Sequence, residues 1–298
     1  MEIINNDTTV YAMDANAKPV AEVAAGEIVA FETIDAFGNQ IKSEEDLFES
    51  ADWSTVNPAT GPLAIKNAKP GDVLVVDILD IEVGSTGVMV TVPKLGALGH
   101  IIKESESKII KIENGFAQFN EDIYLPLNPM IGVIGTAPAG EPVPNGTPCG
   151  HGGNMDSKVV KKGSRVYLPV NVSGGLLAMG DLHAVMGDGE VVICGIEVAG
   201  TVIVKVNLLK GKTLESPIVE SEDHWYIIGS KPDMDQAVRY TLDQTYEFLR
   251  ARLPLTNNEI CMLMSIVGDL QFSQIVDPQI TCRMAISKAA LARYGITF

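Results

Sequence analysis

Residues 71–83 read GDVLVVDILDIEV, a run of valine, isoleucine and leucine entered through the turn signal Lys69-Pro70-Gly71-Asp72. A proline with preset φ and a glycine free to take positive φ punctuate the chain there, and the β-branched run behind them reads as a strand. The same alternation recurs on both sides, in EVAAGEIVAFET (22–33), TGVMVTV (86–92), KIIKI (108–112), SRVYLPVNV (164–172) and EVVICGIEVAGTVIVKVNLL (190–209). Asn114-Gly115, Lys162-Gly163-Ser164 and Asp188-Gly189 add further turn signals. Many strands joined by short turns imply a mainly β fold with a sandwich or barrel-like core, spanning residues 1–228.

From 229 to 298 the pattern becomes that of an α+β portion packed on this core. Asp233 can cap a helix through DMDQAVRYTLDQTYEFLRARL, where Val238, Leu242 and Leu249 share one stripe and Pro254 ends the run. Thr256 and Glu259 have capping-box spacing before ICMLMSIVGDL, and MAISKAALARYG reads as a last helix closing before Gly295. Between them LQFSQIVDPQITCR reads as one or two strands broken at Asp277-Pro278, so the helices are expected to pack on a small sheet.

A chain of 298 residues can bury a large core without staples. Cys149, Cys194, Cys261 and Cys282 have neither the density of a disulfide scaffold nor a CxxC spacing, which fits a reducing compartment. The first residues carry no basic and apolar regions of a signal peptide, so the expected location is cytoplasmic. The apolar stretch 191–209 is interrupted by Glu197, Lys205 and Asn207, which argues against a membrane partner. Thirty-eight acidic against 22 basic residues give a formal charge of −16, which would repel a phosphate backbone and excludes nucleic acid as a partner.

The densest set of polar ligand types lies in CGHGGNMD (149–156), GDLHAVMGDGE (180–190) and GIE (195–197). Asp181 and His183 sit two apart in a strand-like run and so project from one face, a half-site for zinc or a similar divalent ion. Gly152-Gly153 make a loop whose backbone shapes are closed to other residues, with His151 before it and Asn154 and Asp156 after it. A tight Asp188-Gly189 hairpin would leave Glu190 roughly 13 Å along the strand from the Asp181 and His183 pair. Glu190 can share a metal with His183 only if 184–189 form a looser loop that folds it back; otherwise it belongs to a second metal or serves as a base. Cys149, two residues from His151, offers a rival route by thiolate attack.

Taken together, FETIDAFGNQI (31–41), NPATGPLAIKNAKPGDVLVVDI (57–78), MIGVIGTAP (130–138), the HGGNMD, GDLHA and GDGE segments, and LMSIVGDLQFSQIVDP (263–278) resemble the acetamidase/formamidase family over about residues 30 to 280. The resemblance implies a β-rich enzyme hydrolysing small amides such as formamide or acetamide to carboxylate and ammonia, with a divalent metal, often zinc, and a homo-oligomeric assembly. It places the metal on Asp156, Asp181 and His183, and catalysis on Glu190, Glu32 and Asn154. Backbone N–H groups of 152–154 are expected to hold the oxyanion. An additional calcium is compatible with the acidic loops. One departure is Met186, where members of the family more often have glutamine; if that position touches substrate, a thioether changes the amide preferred. Two other functions stay open on the residues alone: a cysteine-nucleophile amidase using Cys149 and His151, and a non-catalytic, metal-dependent module binding a small ligand.

Overall fold

The computed structural model describes residues 1–298. Two large β-sheets, of nine and eleven strands, carry the fold. The strand Val73–Val83 lies in the nine-stranded sheet between Arg165–Pro169 and Gly200–Leu209. Its first four residues are all buried, and the parity of the side chains says against what. Leu74 and Val76 join the larger core with Ile131, Ile134, Leu177 and Leu182 of the other sheet, whereas Val73 and Val75 face a second core. A strand covered on both faces has no polar side to show, which is why VLVV lacks the polar alternation that begins at Asp77.

The second core is built by the C-terminal portion. Helix α1, Met234–Arg250, starts where the Asp233 side chain accepts from the backbone N–H of Gln236. Helix α2, Asn257–Val267, starts with the capping box of Thr256 and Glu259. Phe248, Leu249, Ile260 and Met264 of these helices pack with Val73, Val75, Trp225, Ile227 and Ile286. The strands beneath them, His224–Lys231, Ile280–Ser287 and Gly268–Gln274, are the far end of the nine-stranded sheet rather than a small sheet of their own.

Two local expectations change. MAIS is the end of the strand Ile280–Ser287, and only Ala289–Tyr294 forms a short 3-10 helix before Gly295, which has φ 54°. Strand neighbours on both sides override the helical propensity of that segment. EVVIC, residues 190–194, is irregular; the strand resumes at Glu197–Val198, because Glu190 is held with φ 44°, outside the β region. No helix is long and apolar enough to cross a membrane.

Candidate active site

Three adjacent strands of the eleven-stranded sheet bring the site together. The strand Leu177–His183 lies beside Met130–Gly135, which in turn pairs with Gly152–Asn154. Gly132 sits in the middle, and a Cβ there would collide with Oδ2 of Asp181 on one side and Oδ1 of Asp156 on the other. The absent side chain is the space in which these two carboxylates approach each other. On the opposite edge His183 pairs directly with Glu197, so cross-strand register brings in a further carboxylate. Behind the imidazole, a Cβ on Gly195 would lie 2.7 Å from His183 Nδ1.

Around His183 Nε2 stand Oε1 of Glu197 at 3.0 Å, Oδ1 of Asp181 at 3.4 Å, Oδ1 of Asp156 at 3.7 Å and Oε1 of Glu190 at 3.9 Å. All five residues are buried. The looser return needed for Glu190 is present: Gly189 donates its N–H to the Ser273 carbonyl at 2.9 Å and accepts from Ile275 at 3.2 Å. Asp188 of the same loop is gripped by Arg283, itself on the strand Ile280–Ser287. The C-terminal strands therefore hold Glu190 in place. They also supply Asp277, which accepts from Asn154 Nδ2 at 2.9 Å, while Gln274 Oε1 accepts from the backbone N–H groups of Val276 and Asp277 to fix that turn.

Three of these carboxylate residues occupy the left-handed backbone region: Asp156 at φ 40°, Asp181 at 56° and Glu190 at 44°. Such conformations cost about 1–3 kcal/mol each and persist where surrounding structure enforces them, commonly at functional sites. The convergence of Asp181 and His183 thus arises from a distorted strand, not from a plain pleat.

Burial and mutual repulsion dominate the electrostatics. Burial, with the charges of Asp181 and Asp277, raises the Asp156 carboxyl well above its ordinary value. Burial with the Asp156 charge does the same to Glu190, burial with the Glu190 charge to Asp277, and burial with the Asp181 charge to Glu197. Burial opposes the charged form of His183 and Asp181, but the charges of Glu197 and then Asp181 outweigh it and raise the imidazole, while the His183 charge lowers the Asp181 carboxyl. Two like charges about 4 Å apart repel by about 4 kcal/mol at an effective dielectric near 20. Such a cluster stays ionised only beside positive charge, yet no Lys or Arg is among the residues lining the adjoining cavity.

Several ligand-type atoms are also unspent: both oxygens of Asp156, Oε2 of Glu197 and Nδ1 of His183 are buried without a hydrogen-bond partner. Two triads, Asp156–His183–Glu190 and Asp181–His183–Glu197, each place their ligand atoms within 4.8 Å of one another. Imidazole with carboxylates is a donor set that fits zinc and similar divalent ions.

The cavity is lined by Asn154, Asp181, His183, Glu190, Glu197 and Asp277 at this end; Asp156 lies behind them. Glu32 is not brought to the cluster: it is half-buried on the strand Ile28–Thr33, outside the cavity lining, and its backbone carbonyl accepts from Thr60 Oγ1. Met186 is buried and likewise off the cavity wall. The expected oxyanion donors at 152–154 are largely committed, because Gly152 and Asn154 donate their N–H groups to the carbonyls of Cys149 and Asn145 at 3.1 and 3.0 Å. Cys149 also lies off the wall; burial raises its thiol, Gln279 Nε2 donates to its Sγ at 3.1 Å, and His151 Nε2 has no partner.

Sequence reasoning did not single out Glu197 or Asp277 as site residues. GIE stands among the ligand-bearing segments but without a role for Glu197, and Asp277-Pro278 reads as a strand breaker; cross-strand register with His183 carries no local signal.

Residues 11–145 and 143–291 match the sequence profile of the Acetamidase/Formamidase family. The crystal structure of an acetamidase from Bacillus halodurans is similar at 46% identity and TM-score 0.97, covering 99% of this chain and 100% of that one. The crystal structure of a recombinant predicted acetamidase/formamidase from Thermoanaerobacter tengcongensis is similar at 43% identity and TM-score 0.97, covering 100% and 99%. A formamidase of Methylophilus methylotrophus is 32% identical over 250 residues, 64% of this chain and 61% of the relative. The chain spans about three fifths of the length of the curated relatives it matches first.

Proposed function

Because this chain belongs to the acetamidase/formamidase family, we propose that it hydrolyses small uncharged amides to carboxylate and ammonia with a divalent cation, zinc by donor chemistry, at the buried cluster. The observation that carries this proposal is the imbalance of charge. Asp156, Asp181, Glu190 and Glu197 surround a single imidazole, Asp277 lines the adjoining cavity, several of the carboxylate oxygens lack partners, and no Lys or Arg lines that cavity.

Asp181, His183 and Glu197 would hold the cation, with Asp156 closing the set from behind. Bound there, a divalent ion would polarise an amide carbonyl and lower the pKa of a water toward about 7. Glu190 is left as the proton carrier. It lines the cavity beside the residues that would hold the cation, so its carboxylate can take the water's proton and return it to the amide nitrogen, which departs only once protonated. Asn154 keeps its Oδ1 unpartnered while its Nδ2 is committed to Asp277, so that oxygen can accept an N–H of the substrate and orient it. Glu32, which does not line the cavity, is given no part in this proposal.

The thiol route lacks its requirements, since neither a lowered thiol nor a Cys149–His151 hydrogen bond supports it. Calcium favours oxygen ligands, so the central imidazole speaks for zinc.

Ammonia release from formamide and acetamide tests the proposal, first with protein stripped by a chelator and then after Zn²⁺ is restored. Turnover lost on stripping and regained on reloading is the expected result. Undiminished turnover in a preparation shown to be metal-free would overturn the metal-dependent mechanism.

A further inference from the structure

The cavity ending at the carboxylate cluster is large for a formamide or acetamide site. Its volume is ≈ 530 Å³, within the ~300–1,000 Å³ span of pockets that enclose drug-sized molecules. Acetamide amounts to about four water-sized groups of roughly 30 Å³ each, so it would leave most of this space to solvent.

The chemistry of the walls says what would fill it. Away from the cluster, the lining includes Phe37, Phe48, Trp53, Val56, Leu95 and Ile193. Phe37 and Phe48 are buried with ring centroids 5.1 Å apart, and Trp53 lays its ring 4.3 Å from Phe48 while remaining 51% exposed. A half-exposed indole docked on one buried ring that is itself packed on a second, at the edge of a cavity, is a rigid apolar platform that costs little entropy to use. The polar groups beside it, such as Ser54 and Asn57, are uncharged, and the lining contains no Lys or Arg.

We infer that the preferred substrates are uncharged primary amides whose acyl group carries an apolar, ideally aromatic, body lying on Phe37, Phe48 and Trp53 while the amide sits at the cluster. This rests on the amidase function proposed above and specifies its substrate class. A carboxylate on the acyl chain is selected against, because no Lys or Arg receives it and the acidic cluster repels it. Each methylene gained in an apolar pocket is worth about 10–200-fold in kcat/KM, which gives the preference a readable size.

The test measures kcat/KM of the zinc-loaded protein for acetamide, hexanamide, phenylacetamide and the anionic monoamide of adipic acid. Hexanamide and phenylacetamide should each exceed acetamide by at least ~10-fold, and the anionic monoamide should fall below hexanamide by a similar factor. Trp53→Ala should shrink the phenylacetamide-to-acetamide ratio several-fold. If acetamide is cleaved as well as phenylacetamide, or the ratio is untouched in Trp53→Ala, the substrate inference fails and the amidase function stands. If no amide of the series releases ammonia, both fall.

Discussion

Arg283 donates through Nη2 to both carboxylate oxygens of Asp188, at 2.7 Å each, from a side chain only 1% exposed. Its Nη1 reaches Ser273 at 3.1 Å and Ser157 at 3.4 Å. Asp188 belongs to the loop that returns Glu190, Ser157 follows Asp156, and Ser273 lies on the strand leading to Asp277. One guanidinium thus ties together the segments bearing three site carboxylates.

Asp188→Asn should expose the weight of that tie, since it leaves the guanidinium buried without its counter-charge. Asp188 is 32% exposed and also pairs with Lys158 at 3.0 Å, so the stability loss is expected below that of a fully buried pair, roughly 2–3 kcal/mol. Turnover should fall by about 10–100-fold as Glu190 loses its support. Denaturant melts and amidase assays on the same preparation check both; an unchanged kcat would show that the loop holds Glu190 unaided.

Gly132→Ala places a methyl group where Asp156 Oδ1 and Asp181 Oδ2 lie. The carboxylates must separate, so zinc affinity, read by competition with a chromogenic chelator, should drop by about 10-fold or more. Native affinity in this variant would mean that the two carboxylates do not share an ion.

Glu190→Gln and His183→Ala should divide the cluster by role. Loss of a proton carrier is worth about 10²–10⁴-fold in turnover, with the zinc content of Glu190→Gln retained. His183→Ala should lose metal and turnover together, because Nε2 is the common centre of the carboxylates. Metal content by elemental analysis separates the two; zinc missing from Glu190→Gln would reassign Glu190 as a ligand.

Metal-free protein should lose stability as pH rises. Asp156, Glu190, Glu197 and Asp277 are raised in the folded state, as is His183, so the folded chain holds protons that the unfolded chain releases. Their contribution is full below the unfolded values and disappears as pH climbs through the folded ones. His151, lowered to about 4 from 6.5, and Asp181, also lowered, work in the opposite sense but stop changing above the unfolded histidine value. The clean window is therefore above about pH 6.5, where each extra bound proton contributes a slope near 1.4 kcal/mol per pH unit. Thermal melts of stripped protein should show Tm falling through that window, and zinc should flatten the slope. A stripped Tm that rises with pH there would contradict the crowded-carboxylate picture.

Much of the architecture was legible in local sequence, because its determinants are local. The turn at Lys69-Pro70-Gly71-Asp72, the caps at Asp233 and Thr256, and the valine-rich strands depend on residues within a few positions of one another. MAIS misled, since its fate as a strand was decided by His224–Lys231 and Gly268–Gln274 on either side.

For the site, the sequence alone determined the ligand chemistry: GGNMD, GDLHA and GDGE carry their acids and imidazole in the chain itself. What only the tertiary structure decided was which of those acids meet. Glu197 reaches His183 through antiparallel register and Glu190 through a loop pinned by Arg283, Asp277 meets Asn154 through a turn held by Gln274, and Glu32 lies off the cavity wall. The physical reason is that side-chain chemistry belongs to single residues, while convergence depends on strand pairing, and pairing is set by the packing of the whole sheet.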